Sequence, residues 1–187
     1  MRGLLAGLMV GLVVGVVAAA AHRVGGPGYP DSVRTLAHVT NYASVWAGIA
    51  FVAGFIAPRR WLAATSGVLA LLVAVIVYYP VDMTVGTRVE MDLAWVLPTM
   101  IRWCAISVPT GIVFGLLGHV VRTADDAARR RAALPLPILL FGETAFHLGQ
   151  TFPYGHQGGR ELVLTGLLVA AAATAGLLIV GVRRTDG

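Results

Sequence analysis

The chain has 187 residues, 57% of them hydrophobic and 12% charged, with a net charge of +5. A soluble domain carries roughly 25% charged residues. Composition therefore excludes a soluble globular domain and points to a single polytopic membrane domain, with the lipid bilayer as its expected partner. All 14 basic residues are arginine. They cluster at the ends of apolar runs rather than in a basic stripe interleaved with aromatics, which excludes nucleic acid as a partner. The single Cys104 rules out an intrachain disulfide and a multi-cysteine metal site.

The first apolar run covers residues 3–21. It resembles a signal peptide in its one arginine and its small residues near Ala19 and Ala21. Its length, and the hydrophobic segments that follow, favour a first transmembrane helix. Gly7, Gly11, Gly15 and Ala19 recur every four residues along it. Such a stripe lets helix backbones approach closely in lipid, where no hydrophobic drive replaces packing. Two readings follow: the stripe packs inside the same bundle, or it docks a membrane-protein partner.

Residues 22–42 read as a long outer loop, with Gly25, Gly26, Pro27, Gly28 and Pro30 as turn signals. A second span, 41–57, opens with Asn41, Ser44 and Trp46. Those residues are either a helix cap with an interfacial tryptophan or, with Tyr78 and Tyr79, the outer mouth of a pocket. The third span, 61–79, carries Trp61 at one end and Tyr78 and Tyr79 at the other, as aromatic belts do. Residues 80–92 are expected as an outer loop, and 93–97 as an interfacial piece before a fourth span at 100–121. Pro109 is expected to kink that span. Arg102 lies toward its outer end, and His119 toward its inner end. Arg102 either snorkels to the interface or serves as counter-charge to Glu143. Asp125 and Asp126 fall in a charged inner loop and are expected to be solvated.

The fifth span, 132–150, holds the most informative residue. Glu143 falls ~16 Å along it at 1.5 Å per residue, near mid-bilayer. A carboxylate at that depth is expensive, so it usually faces the bundle interior and has a role. His147 and Gln150 follow at i+4 and i+7 on the same face, giving a polar track that opens outward. The pair suits a proton relay, a site for a cationic or hydrogen-bonding solute, or a buried structural pair. Metal binding needs more ligands, and His156 and Asp82 are undirected by spacing, so no metal and no cofactor are expected. Motifs of hydrolases, zinc proteases and phosphate loops are absent from the sequence. An intramembrane enzyme would have to use Glu143 and His147 as acid and base. A sixth span covers 161–182.

Nine arginines fall on one side of this arrangement (positions 2, 59, 60, 122, 129–131, 183 and 184) and four on the other (23, 34, 88 and 160). The positive-inside rule then places both termini in the cytoplasm. The expected fold is an all-α, six-helix bundle of the bacterial cytoplasmic membrane. Its leading function is binding or transport of a small solute through an outward-facing pocket built from Glu143, His147, Gln150, Arg102, Asn41, Trp46 and Tyr78. A non-catalytic assembly subunit docking through Gly7, Gly11, Gly15 and Ala19 is the alternative.

Several local patterns also occur together here. They are the Gly-striped first span, Asn41-x-x-Ser44-x-Trp46, Ala57-Pro58-Arg59-Arg60, Tyr78-Tyr79, Gly111-x-x-Phe114-Gly115-x-x-Gly118 followed by Arg122, and Gly142-Glu143. In this the chain resembles a family of small bacterial membrane proteins known only as a domain of unknown function, common in high-GC Gram-positive bacteria. The resemblance implies a shared six-span fold and no activity, and it favours Asn41, Trp46 and Glu143 as site residues. Where that family often has Gln or Thr late in the first span, this chain has Ala18–Ala21 followed by His22. In coarse architecture the chain is also similar to substrate-capture subunits of energy-coupling-factor vitamin transporters. That similarity implies a lid at 22–42 and a scaffold-docking first helix.

Overall fold

A computed structural model describes residues 2–24, 42–85, 92–151 and 166. Within them the chain is helical throughout: α1 (Arg2–Val24), α2 (Ala43–Ile56), α3 (Arg60–Val85), α4 (Leu93–Thr123), α5 (Asp126–Ala133) and α6 (Pro135–Thr151). Three of these are long and apolar enough to cross a membrane, over Gly3–Arg23, Arg60–Thr84 and Leu93–Thr123. Their outward faces carry exposed Leu5, Met9, Val13, Ile76, Ile101 and Val113. Apolar surface on that scale suits lipid rather than water.

The core is built from backbone contact rather than from large side chains. A Cβ placed on Gly7 or Gly15 would lie 2.7 Å from the carbonyl oxygen of Ser66 or Ala74, and one on Gly11 would run into that of Ala70. α1 therefore lies directly against α3, and Ala19 continues the seam, fully buried. The stripe on the first helix is thus covered by the chain's own third helix. On the far side of α3, Gly67 meets Gly111 of α4, and Gly118 of α4 meets Phe51 of α2. Ridges of small residues give the close approach that packing in lipid requires.

Several helix limits differ from those expected. α3 runs on through Pro80 to Val85, which takes Asp82 out of the loop and into a helix. Residues 93–97 belong to α4, which is continuous through Pro98 and Pro109. It starts where the side chain of Asp92 accepts the amide of Ala94 at 3.1 Å, an N-cap of ordinary type. The expected fifth span is divided. Ala132 and Ala133 end α5, and α6 begins at Pro135, a residue suited to a first helical turn because its missing N–H is not needed there. Asp125 and Asp126 are exposed, as expected, and each also has a partner. Asp125 caps α5 through the amide of Ala128 at 2.9 Å, and Asp126 pairs with Arg129 at 3.0 Å. The expected sixth span lies outside the described residues except for Gly166, which is helical and buried; a Cβ there would press on the side chain of Thr144 in α6.

α2 differs from its neighbours. Its 14 residues span only ~21 Å, less than the ~30 Å of a hydrocarbon core. Both of its ends are held by side chains from elsewhere in the fold. At the C-terminal end Arg122 donates to the carbonyl of Ile56 at 2.8 Å, and Nδ1 of His119 lies 3.2 Å from that of Ala57. At the N-terminal end stands Glu143.

Candidate functional site

At one end of the bundle, α1 finishes, α2 begins, and the last turns of α3 pass the first half of α4. The four helices enclose a cleft of about 320 Å³. Its walls are aromatic: Trp46 from α2, Tyr78 and Tyr79 from α3, and Trp103 from α4. Trp46 and Tyr79 each meet Tyr78 edge to face, with centroids 5.8 and 5.1 Å apart, the arrangement that ring quadrupoles favour. His22, the third-last residue of α1, stacks beside Tyr78 with centroids 6.2 Å apart and also lines the cleft.

Behind His22 lies the most deeply buried charge-bearing side chain of the described residues. Asp82 is 0% exposed. Its Oδ1 sits 2.9 Å from Nδ1 of His22, and the Tyr78 hydroxyl lies 3.1 Å from the same nitrogen. A carboxylate only accepts, so the proton between the two belongs on Nδ1 of His22. A buried carboxylate fixes imidazole tautomer and orientation in this way wherever the two meet. The geometry exists because α3 continues past Pro80. Four residues on from Tyr78, Asp82 lies one helical turn further along the same face.

On the other flank, Glu143 of α6 reaches the start of α2. Its Oε1 accepts the amide of Ala43 at 2.7 Å and its Oε2 that of Ser44 at 2.9 Å. These are amides a helix cannot satisfy internally. A carboxylate there also meets the positive end of the helix dipole. Ala43 itself lines the cleft, so Glu143 fixes the helix end that presents Ala43 and Trp46. The structure thus brings Trp46 and Tyr78 into one cleft and sets Glu143 behind its rim. Arg102 is exposed on α4, and among the described residues no ion pair joins it to Glu143. Asn41 lies outside the described residues, as do the side chains of His147 and Gln150.

Sequence reasoning gave His22 no role and weighed Asp82 only as a metal ligand undirected by spacing, so it did not join the two. They are 60 positions apart, and each stood at the edge of an expected loop. The signal that could have found Asp82 is the aromatic pair one turn before it, which marks a helix face pointing inward.

The model of a family of unknown function, DUF6518, matches residues 1–185, and the chain belongs to that family. No curated protein and no solved structure matches it significantly.

Proposed function

We propose that this member of the DUF6518 family is a multi-pass membrane protein that binds a small solute in the aromatic cleft, as a binding or transport component. The observation that carries the reading is the cleft itself. Aromatic walls enclose about 320 Å³ beside a few polar groups, His22 and Ser107 among them. Ligand sites are typically mostly apolar, ~300–1,000 Å³ in volume, and oriented by a small number of polar atoms. A buried ionisable side chain within an apolar bundle points the same way, and Asp82 stands behind one of those polar groups.

In this reading Trp46 and Tyr78 touch the solute and Glu143 is a positioning residue, holding the end of α2 that carries Trp46. The six-span topology with both termini in the cytoplasm remains part of the proposal, supported by the arginine distribution. It opens the cleft to the outer face.

The test is a thermal-stability screen of the purified chain in mild detergent against a small-solute library. A compound that binds only the folded state raises the melting temperature. The variant Thr110→Trp, which fills the cleft from α4, should lose that response. Compounds that shift neither protein, or both equally, would count against the cleft.

A further inference from the structure

The walls of the cleft change character along its length. His22, Trp46, Tyr78 and Tyr79 stand at the end of the bundle. From there α3 carries the wall through Val75 to Leu71, near the middle of the Arg60–Thr84 span. The α4 wall includes Ile106, near the middle of the Leu93–Thr123 span. Two hydroxyls, Ser107 and Thr110, join it from α4, and that of Ser107 donates to the carbonyl of Trp103 on its own helix at 2.7 Å. The cleft also reaches the side of the bundle. Trp103 and Ile106 line it and are at the same time 45% and 50% exposed. Val113, two helical turns on from Ile106 on the same face, is exposed as well. At that depth an exposed apolar face meets acyl chains rather than water. Among the described lining residues none is arginine, lysine, aspartate or glutamate, and the one imidazole faces the Asp82 carboxylate within the fold. The lining holds donors as well as acceptors, the indoles of Trp46 and Trp103 and the hydroxyl of Thr110 among them.

From these observations we infer that the solute is an uncharged amphiphile drawn from the bilayer, a hydrogen-bonding head on a single apolar chain, which enters sideways past Trp103 and Ile106. Its head lies at the aromatic end, beside His22, Trp46 and Tyr78. Its chain follows Val75, Leu71 and Ile106 toward mid-bilayer. Such a molecule already has this orientation in a leaflet, polar end at the aromatic interface and chain in the hydrocarbon, so it enters without turning over. A hydroxyl head both donates and accepts, which suits walls that hold both kinds of group. A charged head would give up its hydration to walls without an opposite charge, at high cost. The inference rests on the solute-binding reading above and adds the chemical class of the solute and its route.

Photolabelling of the full-length chain in phosphatidylcholine nanodiscs tests it, with para-octylphenol carrying a diazirine in its chain as the probe. Labelled residues are mapped by peptide mass spectrometry. Labelling of Leu71, Val75 and Ile106 should saturate and fall roughly tenfold under excess unmodified para-octylphenol, whereas labelling of lipid-facing Val113 should not fall. Phenol has the head without the chain, and octyl sulfate and octyltrimethylammonium have the chain with a charged head. Each should compete roughly tenfold more weakly or worse. Saturable labelling should disappear in the cleft-filling Thr110→Trp, and the wild-type competition decides the matter if that variant does not fold. Competition by phenol or by either charged compound as strong as by para-octylphenol overturns the amphiphile class and leaves the cleft as a solute site. Labelling of the cleft residues that never saturates, or that is unaltered in Thr110→Trp, overturns the inference, and the cleft reading then stands or falls on the thermal-stability screen above.

Discussion

Glu143 and Arg122 hold opposite ends of the same short helix. Glu143 accepts the amides of Ala43 and Ser44, and Arg122 donates to the carbonyl of Ile56. Each sign of charge sits where the helix dipole favours it. Each also satisfies backbone groups that have no partner within α2 and, in a bilayer, no water to replace one. The pairing explains how a helix too short to span the hydrocarbon is accommodated inside the fold.

Glu143→Ala should therefore destabilise the protein by about 1–3 kcal/mol, the range for leaving a charge-assisted backbone bond unmade. Glu143→Gln keeps one acceptor and turns an amino group toward an amide donor, so it should fall between wild type and Ala. Arg122→Ala should cost about 1–2 kcal/mol. The two ends are ~21 Å apart, so the double variant should be additive within about 0.5 kcal/mol. Denaturant titration in detergent measures all of these. Coupling well above that value would mean that the two contacts do not act separately on the helix ends.

Glycine positions divide sharply by what surrounds them. Gly11→Ala forces a methyl onto the carbonyl of Ala70, whereas nothing lies within 4 Å of a Cβ at Gly48. Gly11→Ala should destabilise by about 1–3 kcal/mol through overpacking. Gly48→Ala should be neutral or stabilising by up to about 1 kcal/mol, as helix propensity favours alanine. Melting temperatures of the two variants make the comparison. Equal responses would contradict the seam between α1 and α3.

The buried pair behaves differently again. His22→Ala leaves the Asp82 carboxylate without its imidazole contact in a site closed to water, and breaking a buried pair on one side is the more damaging change. The double variant His22→Ala/Asp82→Ala should regain part of the loss and be more stable than His22→Ala alone. Chemical denaturation of both variants checks the order, and a double variant less stable than the single would contradict it.

Much of this fold was legible in the sequence, for reasons that also mark the limit. Apolar runs and glycine spacing report burial and close approach, so the helices and the α1 stripe could be read, while Tyr78 reads either as part of an aromatic belt or as the mouth of a pocket. Glu143 stood out because a carboxylate in an apolar run is costly. Its partner did not, because sequence reasoning looks for an opposite charge and found Arg102, whereas the actual partners are backbone amides that every residue carries. Pro80 and Pro98 suggested breaks, yet proline is tolerated in membrane helices where neighbours re-satisfy the freed carbonyls. That tolerance hid Asp82 in an expected loop, and with it the contact to His22.

The proposed topology has its own check. With Cys104→Ser as background, a cysteine at Arg34 should react with a membrane-impermeant maleimide on intact cells, and one at Arg130 only after lysis. The reverse pattern would invert the orientation assigned from the arginines.

The central claim is that the cleft between His22, Trp46 and Tyr78 holds a small solute. Native mass spectrometry of the full-length chain released from mild detergent tests it most directly. The account predicts a single added mass in the wild-type protein, retained in Arg102→Gln and absent from Thr110→Trp. A wild-type spectrum showing only the bare chain, or an adduct that persists when the cleft is filled, would contradict it.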